Sequence, residues 1–341
     1  MNLGELHQVG QALVAPGKGI LAADESTSTI KKRLASVNVE STEQTRRDYR
    51  EMLFTTVGME QFISGVILFD ETLRQDARDG TPLRQILAAR GVIPGIKVDT
   101  GAKDLAGFPG EKVTEGLDGL GKRLAEYREL GAKFAKWRAV INIGPGIPSR
   151  FCLLANAHAL ARYAALCQQA GVVPIVEPEV MMTGDHTIER CEEVTTDTLS
   201  LVFAQLIEHR VALEGILLKP NMVLPGQDCP TQASPREVAE ATVRCFRRVV
   251  PAAVPGIVFL SGGQTPEQAT ANLNAMNEMG DHPWQLSFSY GRALQQPALD
   301  TWRGQASNVP AAQKAFYVRA KLNGAARYGQ YSPKMEAAAS L

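Results

Sequence analysis

Lys219 ends the apolar run Gly215-Ile-Leu-Leu-Lys and is followed at once by Pro220. A strand reading GILLK must therefore stop there, with the amine projecting from its end. An amine so placed suits imine formation with a ketone, which turns the carbonyl into an electron sink and lets a neighbouring C–C bond break. The attacking amine has to be unprotonated, a state favoured by a second ammonium nearby and by a dry site. Lys136 and Lys97 are candidates for that second charge. Lys136 and Arg138 stand two apart in AKWRAVI, so in a strand both leave one face while Trp137 leaves the other. A lysine turned inward among apolar neighbours loses its charge or needs carboxylates, and Asp24 at the end of GILAAD and Glu177 in PIVEPE are placed to supply them. Taken singly, such a lysine reads more readily as a strand-end side chain reaching solvent; the recurrence of five such residues on one edge reverses that and argues for a site.

A second pattern points to anion binding. Ser261-Gly262-Gly263 leaves backbone N–H groups uncovered and runs into the helix start Thr265-Pro266-Glu267, the arrangement that cradles phosphates. The glycine pair alone also fits a plain turn. Arg292, in SYGRAL, adds a guanidinium to the same sector and favours the phosphate reading. His7, His158, His186, His209 and His282 show no HxH or HExxH spacing, so no metal site is expected.

These residues need a scaffold that gathers strand ends. Eight short Val/Ile/Leu-rich runs recur, at Gly19–Ala23, Gly65–Phe69, Pro94–Val98, Phe134–Ile141, Val172–Glu177, Gly215–Lys219, Gly256–Ser261 and Gln285–Ser289. Amphipathic stretches separate them, predicted as helices over Thr42–Val57, Leu117–Leu130, Arg150–Ala170, Thr196–Arg210, Pro235–Val250 and Pro266–Met279. Ser/Thr-Pro or Thr-x-x-Gln starts open several of them, and Gly91, Gly131, Gly171 and Gly280 close helices before the next run. Continuous apolar strands covered on both faces, alternating with helices eight times, predict a single (β/α)8 TIM barrel over residues 1–330. An open doubly wound sheet is the alternative, disfavoured because no GxGxxG follows any strand. The Ala-rich end reads as a mobile tail, residues 331–341.

Lysine plus arginine equals aspartate plus glutamate at 36 each, so no single-sign field draws the chain to nucleic acid or a membrane surface. No apolar stretch approaches the roughly 20 residues of a membrane helix. Five cysteines without CxxC spacing suit reduced thiols, and residues 1–15 lack the form of a signal peptide, so the expected location is cytoplasmic.

Seven motifs together carry a resemblance. LAADEST (Leu21–Thr27), GIKVD (Gly95–Asp99), AKWR (Ala135–Arg138), VEPE (Val176–Glu179), LLKPNM (Leu217–Met222), LSGGQ (Leu260–Gln264) and FSYGRALQ (Phe288–Gln295) resemble those of class I fructose-bisphosphate aldolases. Their order and spacing also match, with 42 residues from Glu177 to Lys219 and 42 from Lys219 to Ser261. The resemblance implies reversible cleavage of fructose 1,6-bisphosphate to dihydroxyacetone phosphate and glyceraldehyde 3-phosphate, in glycolysis and gluconeogenesis, without metal or organic cofactor. It implies Lys219 as the imine-forming residue and Glu177 as general acid/base. Asp24 would position the C4 hydroxyl and order the lysines, and Lys136 would stabilise developing negative charge. Glu179 would anchor the cluster. Ser261, Gly262, Gly263, Ser289 and Arg292 would hold the C1 phosphate, and Ser26, Arg33, Lys97 and Arg138 would meet the C6 end. A homotetramer is expected on the same ground. Ser28-Thr29 replaces the family's common Gly-Ser, and Leu341 stands where many members end in tyrosine. Without that tyrosine, C3 proton transfer falls either to Tyr328 or Tyr331 folded over the barrel mouth, or to solvent and Glu177 unaided. A phosphosugar isomerase on the same barrel would need the phosphate loop but not the lysine cluster, and a binding module would need neither.

Overall fold

A computed structural model describes residues 2–339. Strands β1 (Gly19–Ala23), β2 (Ile63–Leu68), β3 (Ile93–Lys97), the hairpin pair β4 (Gly101–Asp104) and β5 (Lys112–Glu115), β6 (Phe134–Ile141), β7 (Val173–Val180), β8 (Leu217–Leu218), β9 (Gly256–Phe259) and β10 (Gln285–Tyr290) follow one another in the chain. All but the hairpin pair in parallel and close into a ring in the order β1-β10-β9-β8-β7-β6-β3-β2, with helices between successive ring strands. This is the predicted (β/α)8 barrel.

The alternation of side chains along each strand sorts the core into two shells. Leu21, Val66, Ile96, Ala135, Trp137 and Val176 face the surrounding helices, where Trp137 stacks on Tyr163 of the helix Arg150–Gln169 with ring centroids 5.6 Å apart. Ile20, Ile67, Phe134, Ile175, Leu217 and Val258 face inward, and Leu6, Leu13 and Val14 from the first helix region plug the barrel floor against them. Inward positions are thus apolar near the strand N-termini, while charged residues stand toward or just past the C-terminal ends of β1, β3, β6, β7 and β8, so the polar end of the lumen is its mouth.

Several element boundaries depart from the sequence reading. The helix predicted to begin at Thr196 begins at Ile188, because Thr187 caps it by accepting the N–H of Arg190 and the buried stripe starts at Cys191 and Val194. The charged stretch Glu189–Glu193 hides that stripe in the sequence. The run Gly215–Lys219 supplies only Leu217–Leu218 as strand, after a 3-10 turn at Leu213–Gly215. Lys219 nevertheless keeps ladder register, its N–H donating to Val176 O at 2.8 Å. Gly91, Gly131, Gly171 and Gly280 all have positive φ just past helix ends, as expected.

Ordered structure also extends into the segment read as a tail. A helix spans Lys334–Ala339, Tyr331 donates its N–H to Asn274 Oδ1 at 2.8 Å, and Glu336 pairs with the buried Arg319 at 2.6 Å. A buried guanidinium on the helix Val309–Ala326 needs a counter-charge, and composition alone does not reveal that need. Tyr331 is buried on the outer helices and Tyr328 lies against Gly17, ahead of β1, so neither tyrosine reaches the mouth. Leu341 lies outside the described residues.

The floor of the lumen is filled tightly enough to test. A Cβ added to Gly95 would lie 2.3 Å from the ring of Phe134, its register partner on β6. Gly95→Ala should therefore cost about 1–3 kcal/mol of stability. Combining it with Phe134→Leu should cost less than the two single changes summed, as read by denaturant unfolding in a double-mutant cycle. Strict additivity would show that the ring does not limit this position.

Candidate active site

Four inward or strand-end residues converge at the mouth. Asp24 follows β1, Lys136 lies on β6, Glu177 on β7 and Lys219 just past β8, and all four are buried. Lys136 Nζ lies 2.7 Å from Asp24 Oδ2 and 3.1 Å from Glu177 Oε2, while Lys219 Nζ lies 3.1 Å from Glu177 Oε1. Glu177 thus bridges the two lysines, one oxygen to each. No hydrogen bond aligns with Oε2, so its contact with Lys136 is one of charge.

The electrostatics follow from this packing. Burial acts to raise the Asp24 and Glu177 pKa values, but the Lys136 and Lys219 ammoniums outweigh it and hold both carboxyls below their usual range. Burial acts against the Lys136 ammonium, yet Asp24 and Glu177 hold its pKa well above the ordinary lysine range. Of the two fates open to an inward lysine, Lys136 has the paired one.

The other expected residues divide into two arcs of the rim. On the β9–β10 side, Ser261, Gly262 and Gly263 form the loop after β9, and Arg292 opens the helix after β10 and donates to the Gly262 carbonyl. Ser289 is buried there and its hydroxyl has no hydrogen-bond partner. A Cβ at Gly263 would lie 1.8 Å from Gln227 Nε2 and would displace the end of that side chain; the Gly263 N–H donates to Met182 Sδ at 3.0 Å, a weak acceptor. On the contiguous arc from β1 through β2 and β3 to β6 stand Ser26, Arg33, Lys97 and Arg138. Arg33 marks the boundary, since its Nη2 lies 3.6 Å from where a Gly291 Cβ would be. All of these except Gly263 line one cavity of about 540 Å³ with the lysine–carboxylate cluster and Glu179.

Partners that the sequence reading passed over fix several of these groups. Asp99 accepts from Lys97 at 2.6 Å through Oδ1 and from the Arg138 N–H at 3.2 Å through Oδ2. Glu25 pairs with Arg33, and Gln295 Nε2 donates to Glu25 Oε1 at 2.9 Å and to Ala22 O at 2.6 Å. The buried Arg50 donates to Glu25 O at 2.9 Å. Asp99 and Glu25 both stand inside quoted motifs, so an unassigned carboxylate beside an assigned cation was the available signal. Glu179 pairs with Arg138. Among the described residues, no group of three or more His, Cys, Asp or Glu could hold a metal ion.

A closed parallel barrel with a buried lysine–carboxylate cluster, and with a glycine loop and arginines lining one cavity at its C-terminal mouth, is the frame of an enzyme that works on an anionic carbonyl compound. Comparison with known proteins narrows that class. The family profile "Fructose-bisphosphate aldolase class-I" matches residues 5–341. A protein of Xanthomonas campestris pv. campestris described as a probable class 1 fructose-bisphosphate aldolase is 60% identical over 332 residues, 97% of this chain and 99% of its own. The cytosolic fructose-bisphosphate aldolase 6 of Arabidopsis thaliana is 57% identical over 93% of this chain and 88% of its own. The solved fructose-bisphosphate aldolase of Plasmodium falciparum, in complex with TRAP and a small-molecule inhibitor, superposes with a TM-score of 0.96 at 50% identity, covering 97% of this chain and 96% of its own. The chain belongs to the class I fructose-bisphosphate aldolase family, lyases that cleave fructose 1,6-bisphosphate reversibly to two triose phosphates in glycolysis.

The cluster makes a signed prediction about pH. In the wild type, the depressed carboxyl pKa values contribute stability above their ordinary values of 3.8 and 4.5, and that contribution is lost as pH falls through the folded values. The raised Lys136 value contributes below its ordinary 10.5 and is lost only as pH rises through the folded value. Lys136→Met removes the main cation and leaves burial to push both carboxyls up, so their charged forms become a liability. It should cost about 3–5 kcal/mol near neutral pH, with a smaller deficit relative to wild type near pH 4.5 than near pH 7.5 in paired thermal melts. An equal deficit at both values would show that the carboxylates are not coupled to Lys136.

Proposed function

We propose that Lys219 carries this aldol cleavage as the covalent imine. The observation that supports it most directly is Glu177 standing 3.1 Å from both the Lys219 and Lys136 nitrogens in a buried site. A carboxylate held in its charged form can take the proton that Lys219 must lose before attack. Once Lys219 is neutral, Glu177 faces one cation fewer and returns that proton readily.

Lys219 then adds to the C2 ketone of fructose 1,6-bisphosphate. Glu177 protonates the departing carbinolamine hydroxyl, giving the iminium and water. Glu177 next accepts the C4 hydroxyl proton as the C3–C4 electron pair moves toward the iminium, which leaves an enamine and releases glyceraldehyde 3-phosphate. Asp24 orients that hydroxyl and keeps Lys136 charged, and Lys136 stabilises negative charge as it develops. Protonation of the enamine at C3 and hydrolysis release dihydroxyacetone phosphate. With Tyr328 and Tyr331 away from the mouth, solvent and Glu177 carry the C3 proton. Neither a metal nor an organic cofactor takes part.

Ser261, Gly262, Gly263, Ser289 and Arg292 hold the C1 phosphate, and Ser26, Arg33, Lys97 and Arg138 meet the C6 end. The barrel of residues 1–330 is the catalytic unit and 331–341 an appendage. Five buried cysteines, none in a disulfide, fit a cytoplasmic location. A homotetramer is the expected assembly, to be read as a particle mass near four times 36.9 kDa by light scattering.

Borohydride reduction with dihydroxyacetone phosphate should label Lys219 and abolish activity, whereas EDTA should leave activity intact. A label confined to Lys97 or Lys136, or loss on chelation, would sink the mechanism. Lys219→Arg keeps the charge but cannot supply a free amine, and should lower turnover about a thousandfold or more.

The two phosphate arcs separate by substrate. Arg33→Ala should slow fructose 1,6-bisphosphate cleavage much more than fructose 1-phosphate cleavage, and Arg292→Ala should slow both. Equal damage from Arg33→Ala would assign that boundary arginine to the C1 side.

A further inference from the structure

The charges lining the mouth do not cancel, and the remainder has an address. Seven cations line the cavity: Arg33, Lys97, Lys103, Lys136, Arg138, Lys219 and Arg292. Five carboxylates oppose them, Asp24, Glu25, Asp99, Glu177 and Glu179, leaving a formal excess of two. Five of the cations are ion-paired to those carboxylates: Arg33 to Glu25, Lys97 to Asp99, Lys136 to Asp24 and Glu177, Arg138 to Glu179 and Lys219 to Glu177. Among the described residues, Lys103 and Arg292 have no carboxylate within ion-pair distance.

The two unpaired cations stand across the mouth from each other. Arg292 follows β10 and touches the loop after β9. Lys103 lies on β4, in the hairpin that leaves β3 and packs on β6 through Thr114 Oγ1, which donates to Arg138 O at 2.7 Å. Around the closed ring, β9 and β3 are four strands apart, as are β10 and β6, which is the full width of an eight-stranded barrel. A substrate with a phosphate at each end meets one uncompensated cation per phosphate, each phosphate bringing about −1.5 to −2 charges.

We infer that Lys103 is a substrate-binding residue that meets the C6 phosphate and makes the enzyme prefer a bisphosphate over a C1 monophosphate. Arg33, Lys97 and Arg138, the cations expected on this side, are held by Glu25, Asp99 and Glu179, so their charge is already largely offset. Lys103 is exposed, with a flexible four-carbon stem and three rotatable donors, and it pays no carboxylate desolvation to turn toward a dianion. Gly101 and Gly116, at φ +102° and +125°, flank the hairpin and set its exit from the rim. Lys112 on the neighbouring strand pairs with Asp104 and does not line the cavity, which makes it the internal control.

This inference rests on fructose 1,6-bisphosphate cleavage through the assigned site, which wild-type turnover of fructose 1,6-bisphosphate and fructose 1-phosphate tests separately. In steady-state kinetics, Lys103→Ala should raise KM for the bisphosphate three- to tenfold with kcat within twofold, and should leave KM for fructose 1-phosphate within twofold. Lys103→Glu should raise the bisphosphate KM further, Lys103→Arg should restore it, and Lys112→Ala should change neither substrate. The bisphosphate penalty of Lys103→Ala should also shrink as salt is raised. Because the residue is exposed, thermal melts should match wild type. Equal effects on both substrates, no effect on either, or the same loss from Lys112→Ala would overturn the assignment while leaving the Lys219 mechanism standing.

Discussion

Two ammonium groups inside a barrel lumen are the constraint from which the rest of the site follows. A buried cation that lacks a counter-charge gives up its proton or unfolds its surroundings, and Lys136 and Lys219 are both buried on inward or strand-end positions. Glu177 answers both at once, and Asp24 answers Lys136 from the far side of the ring's seam. Two strands and two strand termini must therefore hold common register to within a hydrogen bond's length. Parallel pairing supplies that register, with β6 and β7 matched residue for residue from Phe134–Val173 to Ile141–Val180. The apolar layer beneath, with Phe134 pressed against Gly95 and the first helix closing the floor, keeps water from reaching the cluster from below.

Much of this was legible because the period of a strand is two. Lys136 and Arg138 flanking Trp137 could only place the cations on one face and the indole on the other, and the indole does stack outward on Tyr163. The run-and-helix alternation gave the barrel, and the Lys219-Pro220 step marked where β8 ends. What escaped depends on contacts between elements distant in sequence. The hairpin Gly101–Glu115 carries no strand run of its own in the sequence, since its two strands are four residues each and half exposed. The partners Glu25 and Asp99 escaped because a carboxylate beside a cation in sequence does not say which cation it will hold in space. The anchoring of Glu336 by Arg319 escaped for a related reason: the buried guanidinium that demands it sits 17 residues earlier, on another helix.

The pairing pattern also separates roles that residue type alone confounds. Lysines and arginines crowd the mouth, and most are held in place before substrate arrives, five by carboxylates and Arg292 by the Gly262 carbonyl. A prepaired cation offers geometry at little electrostatic cost, while an unpaired one offers attraction and range. Catalytic groups belong to the first kind, since a reacting atom displaced by 1 Å loses much of the benefit of orientation. Groups that only capture a phosphate tolerate the second.

The two ends of the mouth differ accordingly in rigidity. On the β9–β10 side the anion loop is braced from several directions: Gln264 bonds Ser261 O at 3.1 Å and is itself held by Asn272 at 2.7 Å, Gln227 bonds Gly263 O at 3.3 Å, and Met182 lies under the Gly263 N–H. The helix that begins at Pro266 is pinned in turn by Arg319, which donates to Pro266 O at 2.9 Å and to Thr270. On the β3–β6 side the rim is an exposed two-stranded hairpin. A substrate that must first be oriented for attack at C2 gains from a fixed cradle for the nearer C1 phosphate. On the proposed assignment the farther phosphate travels with the half that leaves as glyceraldehyde 3-phosphate, so an exposed, unpaired lysine there can capture the substrate without holding back the product.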